Sequence, residues 1–282
     1  MLVFRSVART APLALLLVPA VVLAQAPSAA PAPPPAAAAA PAANPAAPPA
    51  AAPAPGSLAA ILAEVDAAWA VRDQPGKMDA VLALLKTAEK QGPTDYEFLW
   101  RMARYYYWLA DDPSITNEEK ARLGKLTWEW SDKANQANPA RVEGWFYGSA
   151  GVGMYSLGIS IVKALLDGME SKYLDRLRKA QAADASYYGY GGDVSWGRYY
   201  YEVPWPKYDG EKSEIFYRKA LRGAPHNLRA KVYLAELYLK EDHPVEAKKL
   251  LDAVLAAVPG AYDPPEERRA QGLARAVAEK TK

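Results

Sequence analysis

The side chains of this chain with most to offer chemically are aromatic. There are 18 Tyr and 8 Trp against only 4 Phe. Tyr and Trp join an apolar body to a polar tip, which suits a surface that is half dry and half wet. They gather in two places. Tyr105, Tyr106, Tyr107 and Trp108 are consecutive, so a helix must aim them in different directions. A second group runs from Tyr187 through Trp196 and Tyr200 to Trp205 and Tyr208. Packing between helices has at least as strong a claim on any single ring as ligand contact does. Trp205 differs, because Pro204 and Pro206 hold it in a turn. Trp205 and Tyr208 are therefore expected to meet a partner. A small-ligand site is expected at Tyr106, Trp145, Tyr155, Trp196, Arg198 and Tyr200.

Signals for catalysis are poor. The two histidines, His226 and His243, each sit beside a proline in a turn, where surface loops are the default. Two histidines without cysteine do not complete a common zinc site. Asp111-Asp112, Glu118-Glu119 and Glu266-Glu267 read as caps and solvated helix starts. Asp193 and Arg198, near a Gly191-Gly192 turn, are expected to pair with each other rather than hold an anion. Gly148-Ser149-Ala150-Gly151-Val152-Gly153 echoes a phosphate loop, but no strand precedes it. Close helix approach, or the open wall of a cavity, explains those glycines better. No nucleophile–base pair, metal cluster or cofactor motif emerges. The expectation is a binding protein and not an enzyme.

The N-terminus reads as an address. Arg5 and Arg9 precede an apolar run from Ala11 to Ala24, and Val22 and Ala24 suit a secretory cleavage site before Gln25. The run is too short to span a bilayer comfortably, although an uncleaved anchor remains the alternative. Residues 1–24 are thus expected to be a signal peptide that delivers the chain to the periplasm. With no cysteine anywhere, a lipid-modified anchor is not expected and stability must come from a packed core. Loss of Arg5 and Arg9 leaves equal numbers of basic and acidic residues, so nucleic acid is an unpromising partner. Residues 25–56 are almost all Ala and Pro, an expected disordered linker. Extended at about 3.1 Å per residue, it reaches about 90 Å.

From residue 57 to 282 the pattern is helical. Leu58, Ile61, Leu62, Val65 and Trp69 follow a 3.6-residue period, and Met78, Val81, Leu82 and Leu85 repeat it after Gln74-Pro75-Gly76. Ser57 is placed to cap the first helix. Thr116 and Glu119 form a capping box after a loop over 111–117. The Gly197–Tyr201 stretch is β-prone locally. Trp196, Tyr199, Tyr200 and Val203 nevertheless share one helical face, which predicts helix up to the Pro204–Gly210 break. A last helix is expected from about Pro265.

Pro225 and Pro259 are 34 residues apart. Between them Leu234, Ala235, Tyr238, Ala247, Leu251 and Val254 take the packing positions of a tetratricopeptide repeat. Tyr217 and Ala220 fit the end of a preceding copy, and weaker copies surround Ala134–Trp145 and Leu177–Ala185. The predicted fold is all-α: about four tetratricopeptide-like hairpins stacked as an α-superhelix.

The second half resembles a bacterial family, the T component of TRAP transporters (tripartite ATP-independent periplasmic transporters). The resemblance rests on Gly144-Trp145-Phe146-Tyr147-Gly148, then Ala185-Ser186-Tyr187-Tyr188, Gly191-Gly192 and Gly197-Arg198-Tyr199-Tyr200. The Pro204-Trp205-Pro206 turn, Lys212-Ser213, Tyr217-Arg218-Lys219-Ala220-Leu221 and Ala224-Pro225-His226-Asn227-Leu228 complete it. It covers under half of the chain. It implies a periplasmic repeat protein, homo-oligomeric around a pore, that holds an apolar or organic-acid ligand and assists a periplasmic substrate-binding protein. Many members are lipoproteins, and the missing cysteine departs from that pattern. The competing expectation is a general envelope scaffold whose concave face holds another protein.

Overall fold

The computed structural model describes residues 53–280. The expected signal peptide, and the Ala/Pro linker up to residue 52, lie outside the described residues. Twelve helices make up the described part and no strand occurs in it. Helices α1 (Leu58–Trp69) and α2 (Lys77–Gln91) form the first hairpin, and α3 (Tyr96–Ala110) and α4 (Asn117–Ala137) the second. The third joins α5 (Val142–Ile159) to α7 (Met169–Ala183), with the short α6 (Ile161–Leu166) inserted between them. Then come α8 (Tyr187–Glu202) with α9 (Gly210–Gly223), and α10 (Leu228–Lys240) with α11 (Pro244–Ala256). Helix α12 (Pro264–Glu279) packs on α10 and α11 and ends the stack. Five hairpins and a cap thus replace the four expected.

The local signals act as their chemistry requires. The Ala60 N–H donates to Ser57 Oγ at 3.3 Å, and the Glu119 N–H to Thr116 Oγ1 at 3.2 Å. Asp95, Asp209 and Asn227 cap α3, α9 and α10 in the same way. The Gly197–Tyr201 stretch is helix, and the chain breaks at Pro204–Asp209 as the prolines demand. Pro93 and Pro139 are 46 residues apart, twelve more than the repeat, and the 111–117 loop does not hold all of the excess. Part of the excess lengthens α4, which has 21 residues where α10 and α11 have 13. The turn expected at Gly191-Gly192 is also displaced. Those glycines are buried in the helix, and the turn lies just before them at Tyr188-Gly189-Tyr190.

There are two main cores. The first is aromatic and aliphatic, built from α1 to α5 with Ala180 of α7; Phe98, Trp100, Tyr105 and Phe146 are among its buried members. The second spans α8 to α12 and is mostly Ala, Leu and Val around the fully buried Tyr217. A third, small cluster lies under α6, where Val152, Ala164 and Met169 meet Trp128, Tyr155 and Tyr173.

Helices α4 and α5 touch backbone to backbone. A Cβ at Gly151 would lie 2.6 Å from Trp128 N, and one at Gly124 would lie 2.4 Å from Tyr155 N. Any larger residue would force the helices apart, so the first of the two readings of the glycine-rich stretch, close approach, is the one realised at Gly151.

Candidate functional site

A cavity of about 260 Å³ lies between the two main cores. Phe146, Ala150 and Met154 of α5 form one wall, and Arg229, Tyr233 and Glu236 of α10 face it. Tyr107 and Asp111 at the end of α3, Tyr173 of α7, Arg198 of α8 and Glu266 of α12 close the sides. Burial pushes the phenols of Tyr107, Tyr173, Tyr188 and Tyr233 above their ordinary range. They are therefore neutral rings with polar tips at any physiological pH.

Both cavity guanidiniums are already matched. Arg229 makes a two-pronged contact to Asp111, with Nη1–Oδ1 at 3.0 Å and Nη2–Oδ2 at 2.7 Å. Its Nε donates to Glu266 and its Nη1 to the Tyr233 hydroxyl at 3.1 Å. Burial works against the Arg229 charge, but Asp111 and Glu266 outweigh it and hold its pKa well above the usual value. Burial raises the Glu266 carboxyl, against the pull of Arg229. Arg198 lies between Glu236 and Glu202, the latter at 2.6 Å, with its guanidinium over the rings of Tyr201 and Tyr233. A carboxylate ligand would have to displace one of these partners before it could be recognised.

Of the six residues expected to line a ligand site, Arg198 alone is in the cavity wall. Trp196 and Tyr200 are each two residues from Arg198, about 200° round the helix, and face outward. There they stack with Phe216 at centroid distances of 5.7 and 5.9 Å. Trp196 Nε1 donates to Gln181 Oε1 at 2.7 Å. Trp145 closes the Pro139 turn, donating to its carbonyl at 2.8 Å, beneath Lys179. Tyr155 packs on Trp128 under α6, and Tyr106 edges onto Tyr105. The consecutive run does divide as a helix must: Tyr105 and Trp108 are buried in or beside the first core, and Tyr107 faces the cavity.

Asp193 and Arg198 do not pair. Five residues separate them, which leaves them about 140° apart on α8. Asp193 instead accepts from Gln181 Nε2 and Lys219 Nζ, both at 2.9 Å. His226 is no plain loop residue. It lines the cavity next to Tyr262, and its buried Nε2 has no hydrogen-bond partner. Trp205 is 88% exposed, the most exposed of the large apolar side chains among the described residues. Tyr208 is half-buried, with its hydroxyl on Glu241 and its ring 3.9 Å from the Lys240 ammonium.

The tetratricopeptide repeat family pattern matches residues 216–275, the stretch from α9 into α12. A solved structure described as a thermophilic TPR protein of Thermus thermophilus superposes with a TM-score of 0.59 at 20% identity, covering 78% of this chain and 100% of that one. The fold is of the tetratricopeptide type. Two structures of MamA superpose with TM-scores of 0.40 and 0.39, each at 15% identity, covering 72% and 75% of this chain and 92% and 94% of theirs. No curated protein matches the sequence. Tetratricopeptide stacks are suited to holding protein partners, and here the hairpins also line a half-open cavity.

Arg229, Tyr233 and Tyr173 were missed from sequence because each lies in an ordinary helical context, whereas Asp111 and Glu266, expected at solvated helix ends, instead have side chains buried against Arg229. Arg229 and Glu266 do follow the two repeat prolines, Pro225 by four residues and Pro259 by seven. That placement is the one signal that would have grouped them.

Proposed function

We propose that this chain is an exported, non-enzymatic binding protein of the periplasm, and that it holds a small apolar molecule as an accessory of a TRAP-type transporter. The observation that carries the reading is the cavity between the cores. Its rings offer dry surface, and the unmatched His226 Nε2 offers one hydrogen bond. Its guanidiniums are bracketed by carboxylates, which favours a neutral ligand over an organic acid. The same pairing favours binding over catalysis, since Arg198 and Arg229 are engaged with Glu236, Asp111 and Glu266.

The residues that resemble the TRAP T component are largely packing positions. Gly191 makes room for Phe146 and Gly197 for Tyr217. They therefore speak to fold, and the accessory role draws its support from the cavity and from the export signal read in residues 1–24. A substrate-binding protein would be the natural recipient of the ligand, and a homo-oligomer the natural assembly.

The test is direct binding. The protein is titrated with N-phenyl-1-naphthylamine, a neutral apolar fluorophore, and separately with citrate. Saturable binding of the dye and not of citrate is expected. Citrate binding without dye binding would overturn the neutral-ligand reading, and failure of both would remove the cavity as a ligand site.

A second reading, an envelope scaffold, is favoured by Trp205 alone. A tryptophan left 88% exposed on a proline turn is the kind of anchor that fills a partner's pocket. Capture of a substrate-binding protein by the native chain but not by Trp205→Ala would join the two readings.

A further inference from the structure

The two main cores form separate clusters, and the cavity occupies the space between them, while α8 lies along α7 through Tyr173 on Tyr199 and through Gln181 on Asp193 and Trp196. The chain crosses from one to the other at Tyr188-Gly189-Tyr190. All three residues are left-handed, with φ of 53°, 60° and 60°. Glycine adopts that conformation freely, but tyrosine does so at a cost, so the crossing is a strained joint. It is held by the Asn227 amide, which donates to Gly189 O at 2.8 Å, and by Tyr188 lying between Phe146 and Tyr262.

The halves meet again at a second seam, made of charge. Arg72, just after α1, grips Asp263 at the start of α12 through two bonds of 2.9 and 2.7 Å, across 191 residues of sequence. Arg268 of α12 pairs with Asp73. Arg269 of α12 lies 3.2 Å over the Trp108 ring and donates to the Trp108 carbonyl at 2.8 Å. The Arg72 guanidinium also lies against both Trp108 and Trp69, 4.1 and 4.6 Å from their ring centroids. Close behind lies the Arg229–Asp111 pair already described.

We propose that this seam is a latch. Helix α12 lets go of the α1–α3 edge, the halves turn about residues 188–190 and the α7–α8 contact, and the cavity, half open already, widens to admit or release its occupant. The proposal rests on the cavity being the binding site, and it assigns the regulation of that site.

Three features favour a latch over a permanent joint. Charge pairs return little net energy, because breaking them gives both partners back to water. Apolar cores gain nothing comparable on opening. The seam is also imperfectly satisfied, since Arg72 Nε is buried without an acceptor. Finally, the joint at 188–190 stores strain that a change of angle can relieve.

The absence of cysteine makes the test clean. Spin labels go on the full chain at Lys86→Cys of α2 and Lys249→Cys of α11, both exposed in the closed form. A single narrow distance is expected, and adding Asp73→Ala with Asp263→Ala should shift it to longer, broader values while circular dichroism keeps its helical signal. An unchanged distribution in that folded variant overturns the latch. If the double variant fails to fold, the labelled chain is compared in low and high salt. Broadening in salt supports the latch, and an unmoved distance overturns it.

A second arm links Asp73→Cys to Arg268→Cys with a short bismaleimide and follows uptake of N-phenyl-1-naphthylamine. Uptake should be slower by about tenfold or more in the linked chain. Equal rates would overturn the gate. If the dye binds neither form, the ligand-binding reading has failed, and the label distances still decide the latch.

Discussion

Two helix pairs show how this chain packs by two different rules. Between α10 and α11 the small residues are Ala235 and Ala247, and Tyr238 and Leu251 fill the groove around them. Between α4 and α5 the small residues are glycines, and backbone meets backbone. The first rule keeps helix propensity and spends side-chain volume. The second gives up about 1 kcal/mol of propensity per glycine in return for closer approach. Long helices offset that loss: α4 has 21 residues and α5 has 18. The alanine rule repeats at a fixed interval, so it is visible in sequence. The glycine rule follows the geometry of one interface and has no period.

The comparison breaks most plainly at Gly151. Leucine there would drive its Cβ into the Trp128 backbone nitrogen, and neither helix can yield without unpacking the first core. Gly151→Leu is expected to cost about 3 kcal/mol or more in urea unfolding. A loss below about 1 kcal/mol would mean that α4 and α5 are free to separate, and that the glycines are incidental. The counterpart is Ala235→Gly, which removes one methyl from α10 and adds backbone freedom. It is expected to cost about 1–2 kcal/mol. An equal loss at both sites would erase the distinction between the two rules.

The halves also differ in how acid acts on them. In the first, Asp66 is engaged by Arg101 and Arg104. Burial alone would raise its carboxyl, but the two guanidiniums prevail and hold it below its ordinary 3.8. A depressed carboxyl contributes stability that is complete above 3.8 and is lost as pH falls through the folded value. Asp66 is 41% exposed at its side chain, so its share is at most about 1 kcal/mol. In the second half burial lifts Glu266 above 4.5. There the folded state holds its proton longer than the unfolded chain does, so stability falls as pH rises from 4.5 toward the folded value. Asp66→Asn is thus expected to flatten the acid limb of a stability–pH curve. Glu266→Gln is expected to flatten the opposing slope above pH 4.5. The two variants moving the same limb would contradict the contrast.

What was legible follows from the same division. The 34-residue spacing of Pro225 and Pro259 placed α10 and α11, and helical phase separated Tyr107 from Tyr105 in principle. Helix α6 was hidden because six residues are too few to show a period. The left-handed run at 188–190 carried only Gly189 as a clue, since Tyr on either side argues against it. The seam was out of reach, because Arg72 and Asp263 acquire meaning only when 191 residues of chain bring them together. Of the ligand residues expected on α8, phase brings only Arg198 to the cavity. Aromatic identity marked the helix, but the two-residue offset from Arg198 turned Trp196 and Tyr200 to its outer face.

The smallest expected effect is at Trp205. The Pro204–Asp209 insertion belongs to neither packing rule, since it leaves the hairpin between α8 and α9 and returns without entering a core. Its neighbours Lys207 and Tyr208 are tied down by Glu170 and Glu241, so the turn is held at its base while the indole stands in water. Removing an exposed side chain leaves folded and unfolded states nearly equally solvated. Trp205→Ala is therefore expected to change unfolding free energy by less than about 0.5 kcal/mol. Val203, the buried residue at the foot of the turn, gives the contrast, because Val203→Ala opens a void and should cost about 1–3 kcal/mol. If Trp205→Ala instead destabilised the protein as much as Val203→Ala, the indole would be packed in solution, and its exposure could not serve a partner. A silent Trp205 beside a costly Val203 would mean that the turn is built to be stable without its tryptophan, which leaves recognition as the reason to carry one.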